Sequence, residues 1–331
     1  MDKLKTRVLF VALIILALVS VSAVAAADVD DVVSAEQDDI DLSEETTDVE
    51  QVSVDTQEAD LSNEEIDKDI LTAGDSGNFT ELQQQVKDNY GGELVLTKDY
   101  TRLSGESCVI INGSITIDGA GYTIDADKLG SIFFIENGAV TLKNINFING
   151  NATDRHYEKI NGVTKTVFHN GTVVFFTGTE NSIVENCNFT DNRGSQGGAI
   201  NVQSNDITIT KSNFENNHAT NGGAVYSKAN FTTVTDSNFT SNNATNGAAI
   251  YGIGNGLAVT NCGFSTNNAT NGGAIYYKAK DLEVADSTFS ENTASSSGSA
   301  IYTIGNSSSI TGSNFTNNEA EAFSTLYIEG N

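Results

Sequence analysis

Leu257-Ala258-Val259-Thr260-Asn261-Cys262-Gly263-Phe264-Ser265-Thr266-Asn267, followed by Gly272-Gly273-Ala274-Ile275-Tyr276, is one turn of a pattern that fills the C-terminal half of the chain. Its phenylalanine returns every 25 residues at Phe189, Phe214, Phe239, Phe264 and Phe289, and at Phe315 after one inserted residue. Three positions later stands Asn192, Asn217, Asn242, Asn267, Asn292 or Asn318, and five positions before the ring stands Val184, Ile209, Val234, Val259, Val284 or Ile310. A fixed period in this range marks a solenoid in which each repeat contacts only its neighbours.

The spacing inside the unit selects β over α. Apolar residues fall at Leu257, Val259, Cys262 and Phe264. Steps of two are strand alternation, and the single step of three is a bend. Asp, Asn, Thr and Gly fill the corners, where Asn tolerates the left-handed backbone that a sharp turn needs. No window sustains helical spacing. Twenty-five residues suit three short strands and three turns, so the expected fold is all-β: a right-handed, single-stranded parallel β-helix. Stacked coils lie about 4.8 Å apart, which turns the phenylalanines into an internal stack and the asparagines into an amide ladder. The position two before the ring reads Cys187, Ser212, Ser237, Cys262, Ser287 and Ser313, small in every coil.

The grid extends backwards. It places Tyr122 in the phenylalanine position of an early coil, and Val140, Leu142, Ile145 and Phe147 in the next. Counting to Phe315 predicts about eight coils after one irregular coil, a rod on the order of 40 Å long. Phe79, Leu82 and Val86 share one face of a short helix that Gly91-Gly92 ends, suited to cover the open end of the rod. The rod therefore spans residues 76–331, with an insertion loop near 151–172.

Upstream, Lys3, Lys5 and Arg7 precede an apolar run from Val8 to Val19, and Ala25-Ala26-Ala27 closes it. Residues 1–27 read as a secretory signal peptide, with an uncleaved anchor as the alternative. After cleavage no membrane span is expected, and the chain is placed outside the cell, secreted or at its surface. Residues 28–75 carry 19 Asp and Glu against Lys68 and no aromatic residue, the composition of a disordered acidic spacer. With a net charge of −27, nucleic acid is excluded as a partner.

Two binding surfaces are candidates. The insertion concentrates Asp154, Arg155, His156 and Tyr157, and insertions in solenoids map to loops on one face. The second is the residue after the apolar member of the Gly-Gly-Ala run: Phe134, Phe176, Asn201, Tyr226, Tyr251, Tyr276, Tyr302 and Tyr327, with Phe133, Phe175, Ile200 and Val225 among its predecessors. Adjacent strand positions face opposite ways, and Asn201 suits the outside. The tyrosine column is thus expected outside, able to stack on sugars or a partner protein. A solvated loop and ordinary cross-strand packing are the bland alternatives.

Catalysis has little support. Glycoside hydrolysis needs paired carboxylates across a cleft. Asp118, Asp125 and Asp127 are close in sequence, but no basic residue is expected in their part of the grid. The three histidines lack metal-ligand spacing, and no metal or other cofactor is implied. Cys187 and Cys262 are three coils apart, about 14 Å, too far for a disulfide. Asn188, Asn238 and Asn314 open Asn-Phe-Thr sequons whose amides should point outward and accept a glycan.

The paired Phe-x-x-Asn and Gly-Gly-Ala-Ile elements resemble the repeats of chlamydial polymorphic membrane proteins. The whole layout resembles the Asn/Thr-rich adhesin-like surface proteins of methanogenic archaea, down to the coil Ile115-Thr116-Ile117-Asp118-Gly119. That resemblance implies a non-enzymatic adhesin binding a cell-surface glycan or protein. It also implies a longer parent with attachment domains, so this chain is expected to be a fragment lacking its C-terminal domains. A structural stalk without a ligand and a pectate-lyase-like polysaccharide-degrading enzyme are the other two readings.

Overall fold

The computed structural model describes residues 76–152, 156–160, 163–167, 172–322 and 324–330; for 156–160 and 163–167 the backbone alone is described. The signal peptide and spacer expected over residues 1–75 lie outside the described residues, as do Asp154 and Arg155.

Three nine-stranded parallel sheets wrap one core among the described residues, so the chain makes nine coils. The Val sheet runs from Glu93–Val95 through strands such as Thr233–Thr235 and Ala258–Thr260 to Ser309–Thr311. The Phe sheet runs from Tyr100–Thr101 through Asn238–Thr240 to Asn314–Thr316, and the Tyr sheet from Val109–Asn112 through Ile250–Gly252 to Leu326–Glu329. A fourth sheet, not anticipated from the period, covers the later coils with Asn243–Asn246, Asn268–Asn271, Thr293–Ser297 and Glu319–Ala320.

The strands are two to five residues long, and from Lys143 onward the corner between the Val and Phe sheets takes only two residues. The corner before the Phe sheet places Asn144, Asn186, Lys211, Asp236, Asn261 and Asp286 at φ of 50–55°. That left-handed conformation is one Asn and Asp tolerate, which is why they crowd these positions.

Between corners, alternate residues enter the core. The buried column of the Val sheet is Leu94, Ile117, Leu142, Val184, Ile209, Val234, Val259 and Val284. In the Phe sheet, Phe147, Phe189, Phe214, Phe239, Phe264, Phe289 and Phe315 stack with centroids 4.7–5.0 Å apart. The spacing is set by the strand separation, so ring stacking and the hydrogen-bond ladder reinforce each other.

Two register expectations are corrected. Tyr122 does not occupy the phenylalanine position: Ile124 pairs with Phe147 and is fully buried, while Tyr122 is exposed. The corner from Asp118 to Tyr122 is longer than its successors, closed by a bond from Tyr122 N to Gly119 O of 2.7 Å, and this shifts the strand by two residues. In the coil after the insertion, Val174 pairs with Phe133 and Ile200, so Phe175 takes the outer row and Phe176 faces inward. A Phe-Phe pair satisfies alternation in either register; the neighbouring strands decide between them.

The N-terminal end is covered by helix α1, Phe79–Asp88, whose Phe79, Leu82 and Val86 are buried. Its Gln83 side chain accepts from Ile110 N at 2.7 Å and donates to Ile110 O at 3.0 Å, imitating the strand that the edge of the Tyr sheet lacks. Asn78 caps the helix by accepting from Glu81 N at 2.9 Å. Glu106 reaches across to the same end, accepting from Thr80 Oγ1 at 2.6 Å, Thr80 N at 2.8 Å and Phe79 N at 3.1 Å, and from Leu103 N at 2.8 Å.

Burial opposes ionisation of Glu106, but these donors outweigh it and hold its pKa below the ordinary carboxylate value. A depressed folded pKa gives stability that is present above the unfolded value, about 4.3, and is lost as pH falls through the folded one. Glu106→Gln is therefore expected to cost about 1–3 kcal/mol at neutral pH. In denaturant titrations against the parent chain, that difference should shrink once pH falls below about 4.

Candidate functional site

The inner asparagines and the outer tyrosines arise from the same repeat but do different work. Asn242 is fully buried. Its Oδ1 accepts from Asn217 N at 3.0 Å and Asn217 Nδ2 at 3.1 Å, and its Nδ2 donates to Phe214 O and to Asn267 Oδ1, each at 3.0 Å. Asn217, Asn267 and Asn292 repeat the arrangement, Asn192 enters it through Phe147 O, and Asn318 closes it on Phe289 O. The ladder fills the corner after each phenylalanine and pairs backbone groups that the strands leave open.

The small column next to it is a hydroxyl ladder. Ser212 Oγ accepts from Cys187 N and Ser287 Oγ from Cys262 N, each at 3.1 Å. Cys187 and Cys262 are buried free thiols whose pKa values burial pushes up to about 12 and about 11. They pack as small apolar groups.

On the outer row of the Tyr sheet, Tyr226, Tyr251, Tyr276, Tyr302 and Tyr327 form a continuous stack with centroids 4.5–5.4 Å apart and planes within 8°. Phe134 and Phe175 form a second stacked pair, and Asn201 separates the two tracts. The expectation of a uniformly exposed column is corrected: Tyr226 is 5% exposed and Asn201 is fully buried, whereas Tyr251, Tyr276, Tyr302 and Tyr327 are partly exposed. Parallel rings at van der Waals distance cover each other's faces, so mainly edges and hydroxyls meet solvent. Asn201 Nδ2 donates to Gln196 O at 3.0 Å, while its Oδ1 has no partner among the described residues. Desolvation raises the pKa of Tyr226, Tyr251 and Tyr276, keeping these hydroxyls protonated as donors.

The insertion expected as a loop contains an antiparallel hairpin of His156–Ile160 with Val163–Val167, so His156 pairs with Val167 and Tyr157 with Thr166.

Asn188, Asn238 and Asn314 face outward on the Phe sheet. Asn188 and Asn238 belong to an outer amide ladder that spacing alone did not reveal: Asn188 donates to Asn146 at 2.7 Å, Asn213 to Asn188 at 2.9 Å and Asn238 to Asn213 at 3.1 Å.

The acidic residues considered for catalysis serve the corners. Asp118 accepts from Ala120 N and Asn144 Nδ2, both at 2.9 Å, and Asp125 from Asp127 N at 2.7 Å. The expectation that no basic residue shares this region is corrected: Lys143 lies one coil on from Asp118 and 3.2 Å from it, because their strands pair in register. Among the described residues, no group of three or more His, Cys, Asp or Glu could hold a metal ion, and no helix is long and apolar enough to cross a membrane. A cleft of about 720 Å³ beside α1 is walled by Gln83, Tyr90 and Glu106, side chains already engaged in closing the end of the rod.

Residues 107–264 match a family model described as the right handed beta helix region. Residues 286–304, which contain Phe289, Asn292 and the Gly298–Ile301 corner, match the Chlamydia polymorphic membrane protein repeat. No curated protein and no solved structure matches the chain. The nine-coil rod is a right-handed parallel β-helix, and one stretch of its repeat is similar to a repeat of polymorphic membrane proteins.

Proposed function

We propose that this chain is a non-enzymatic adhesin, secreted or displayed on the cell surface, that holds a glycan or protein of another cell along the exposed part of its tyrosine stack. The carrying observation is the row Tyr251, Tyr276, Tyr302 and Tyr327: partly exposed rings at a repeat of about one strand spacing, on parallel strands paired in register. Ordered aromatic edges with hydroxyl donors offer repeated weak contacts at little entropic cost, and repetition turns weak contacts into avidity. The likeness of residues 286–304 to a membrane-protein repeat supports placement at a surface. A β-helix also occurs in polysaccharide-degrading enzymes, and fold alone assigns no chemistry. The engagement of Asp118 and Asp125 in turns supports the non-enzymatic reading.

A structural stalk is the second reading, supported by a regularity that the internal ladders alone account for. The full-length chain carrying Tyr251→Ser, Tyr276→Ser and Tyr302→Ser separates the two. Attachment to a panel of immobilised cells and cell-wall polysaccharides should fall at least about tenfold, with the β-sheet circular dichroism unchanged. Equal attachment by the two folded proteins would remove the tyrosine face from the mechanism, and no attachment by either would favour the stalk.

A further inference from the structure

The tripeptide Asn-Phe-Thr occurs five times in the rod, at 78–80, where it opens helix α1 and buries its ring, and at 188–190, 230–232, 238–240 and 314–316. Three copies lie in the Phe sheet and turn their ring to the core. The copy at 230–232 is inverted: Thr232 is buried against Ser227, hydroxyl to hydroxyl at 2.7 Å, and Phe231 is 62% exposed.

Phe231 stands at a corner whose equivalents are Asn181, Asp206, Gly256, Asp281 and Ser307, all with positive φ, and its own φ is 57°. Asn, Asp and Gly suit that backbone; a bulky aromatic does not. The side chain thus pays twice, in backbone strain and in apolar exposure, without entering the core. Gly256 accommodates it, since a Cβ there would lie 2.9 Å from the Phe231 ring. The ring is laid along the rod over the next coil.

Beside it runs a shallow groove of about 310 Å³ lined by Asn181, Ile183, Asp206, Phe231, Thr208 and Thr233. The six form a grid, one corner residue and one outward strand residue from each of three successive coils. It covers about 10 Å along the rod and about 7 Å along the strand. The Asn181 amide, the Asp206 carboxylate and the Thr208 and Thr233 hydroxyls make no side-chain hydrogen bond among the described residues. Two positions along the same strands, by contrast, Thr235 donates to Thr210 at 2.9 Å. The groove therefore combines an aromatic face, an aliphatic neighbour and four uncommitted polar groups of both donor and acceptor type.

We propose that this groove is a binding subsite for a neutral pyranose. A sugar ring presents an apolar C–H face, which suits the Phe231 ring, and an equatorial rim of hydroxyls, which suits an amide, a carboxylate and two hydroxyls. Asp206 and the net charge of −27 disfavour uronates and sulfated sugars. The site lies on the corner leading into the Val sheet and does not rest on the tyrosine face.

The test is saturation-transfer NMR and titration of the full chain with neutral methyl pyranosides of the gluco, galacto, manno and N-acetylgluco series, and with methyl glucuronide as the charged control. The protein is made in a host that does not glycosylate Asn230. Phe231→Asn and Asp206→Gly place residues at each corner that its backbone favours, so both variants should fold and Phe231→Asn should melt no lower than the parent chain. Saturable binding of a neutral pyranoside, weakened at least about tenfold by Phe231→Asn and reduced by Asp206→Gly, with glucuronide inert, is the expected result. No binding of any neutral pyranoside by the parent chain would overturn the proposal, as would binding that Phe231→Asn leaves unchanged. The second outcome would leave the tyrosine face free to account for the binding, since its residues are intact in these variants.

Discussion

Replacing Asn242 by leucine is expected to remove about 3–6 kcal/mol of stability, although leucine is nearly the same size and more apolar. The amide makes four hydrogen bonds inside the rod, two received from Asn217 and two given to Phe214 O and Asn267 Oδ1. Leucine leaves the Asn217 N–H, the Phe214 carbonyl and the facing side-chain amides short of partners where water does not reach. Each buried polar group left unsatisfied costs about 1–3 kcal/mol. The losses do not simply add, because the neighbouring amides can partly re-pair along the column. Asn213→Leu provides the contrast: Asn213 sits in the outer ladder, where water replaces the lost bonds, and less than about 1 kcal/mol is expected. Urea unfolding of the two variants measures the difference, and equal midpoints would show that the inner ladder is not a principal source of stability.

Gly247→Ala should be nearly as damaging despite adding one methyl group. Gly197, Gly222, Gly247, Gly272 and Gly298 form one column, all with positive φ, and Gly247 has φ of 60°. A Cβ there would lie 2.2 Å from Ile250 O and 3.0 Å from Tyr276 N. Those are backbone atoms of hydrogen-bonded strands, so neither can move aside as a flexible side chain would. The left-handed conformation alone costs about 1–2 kcal/mol in a residue with a Cβ, and the clash raises the expected loss to about 3 kcal/mol or more. Gly247→Asn separates the two causes. Asn tolerates the dihedral angles but keeps the Cβ, so a thermal melt near that of Gly247→Ala would assign the loss to the clash.

The architecture was legible because a solenoid writes each internal position many times. A column of six phenylalanines or six asparagines survives any single exception, and alternation within the unit tells which positions face in. The same redundancy is missing wherever a residue occurs once. Phe133-Phe134 and Phe175-Phe176 could be aligned in either register, and the pairing of Val174 with both Phe133 and Ile200 shows which ring of each pair is outside. Tyr122 fitted the period by count, but the longer corner before it moved Ile124 into the core. Phe231 belongs to no phenylalanine column, and its exposure depends on a corner geometry that the Asn-Phe-Thr motif does not encode.

The binding faces were less legible than the fold for a related reason. Tyrosine at a strand position is compatible with packing, with stacking and with exposure, and Tyr226 and Tyr251 differ in burial although the pattern treats them alike. The outer ladder of Asn146, Asn188, Asn213 and Asn238 is not legible from single motifs, since Asn188 and Asn238 open sequons while Asn146 and Asn213 do not. In the rod they are one row of hydrogen bonds.

The proposed function divides the labour of the rod, with stability carried by the inward columns and attachment by the outward tyrosines. Hydroxyl-radical footprinting of the full chain, free and incubated with the panel of cells and cell-wall polysaccharides, tests it most directly. The predicted result is protection on attachment concentrated at Tyr251, Tyr276, Tyr302 and Tyr327, with the buried phenylalanines unlabelled in both states. Attachment that leaves the labelling of those four tyrosines unchanged would contradict the account.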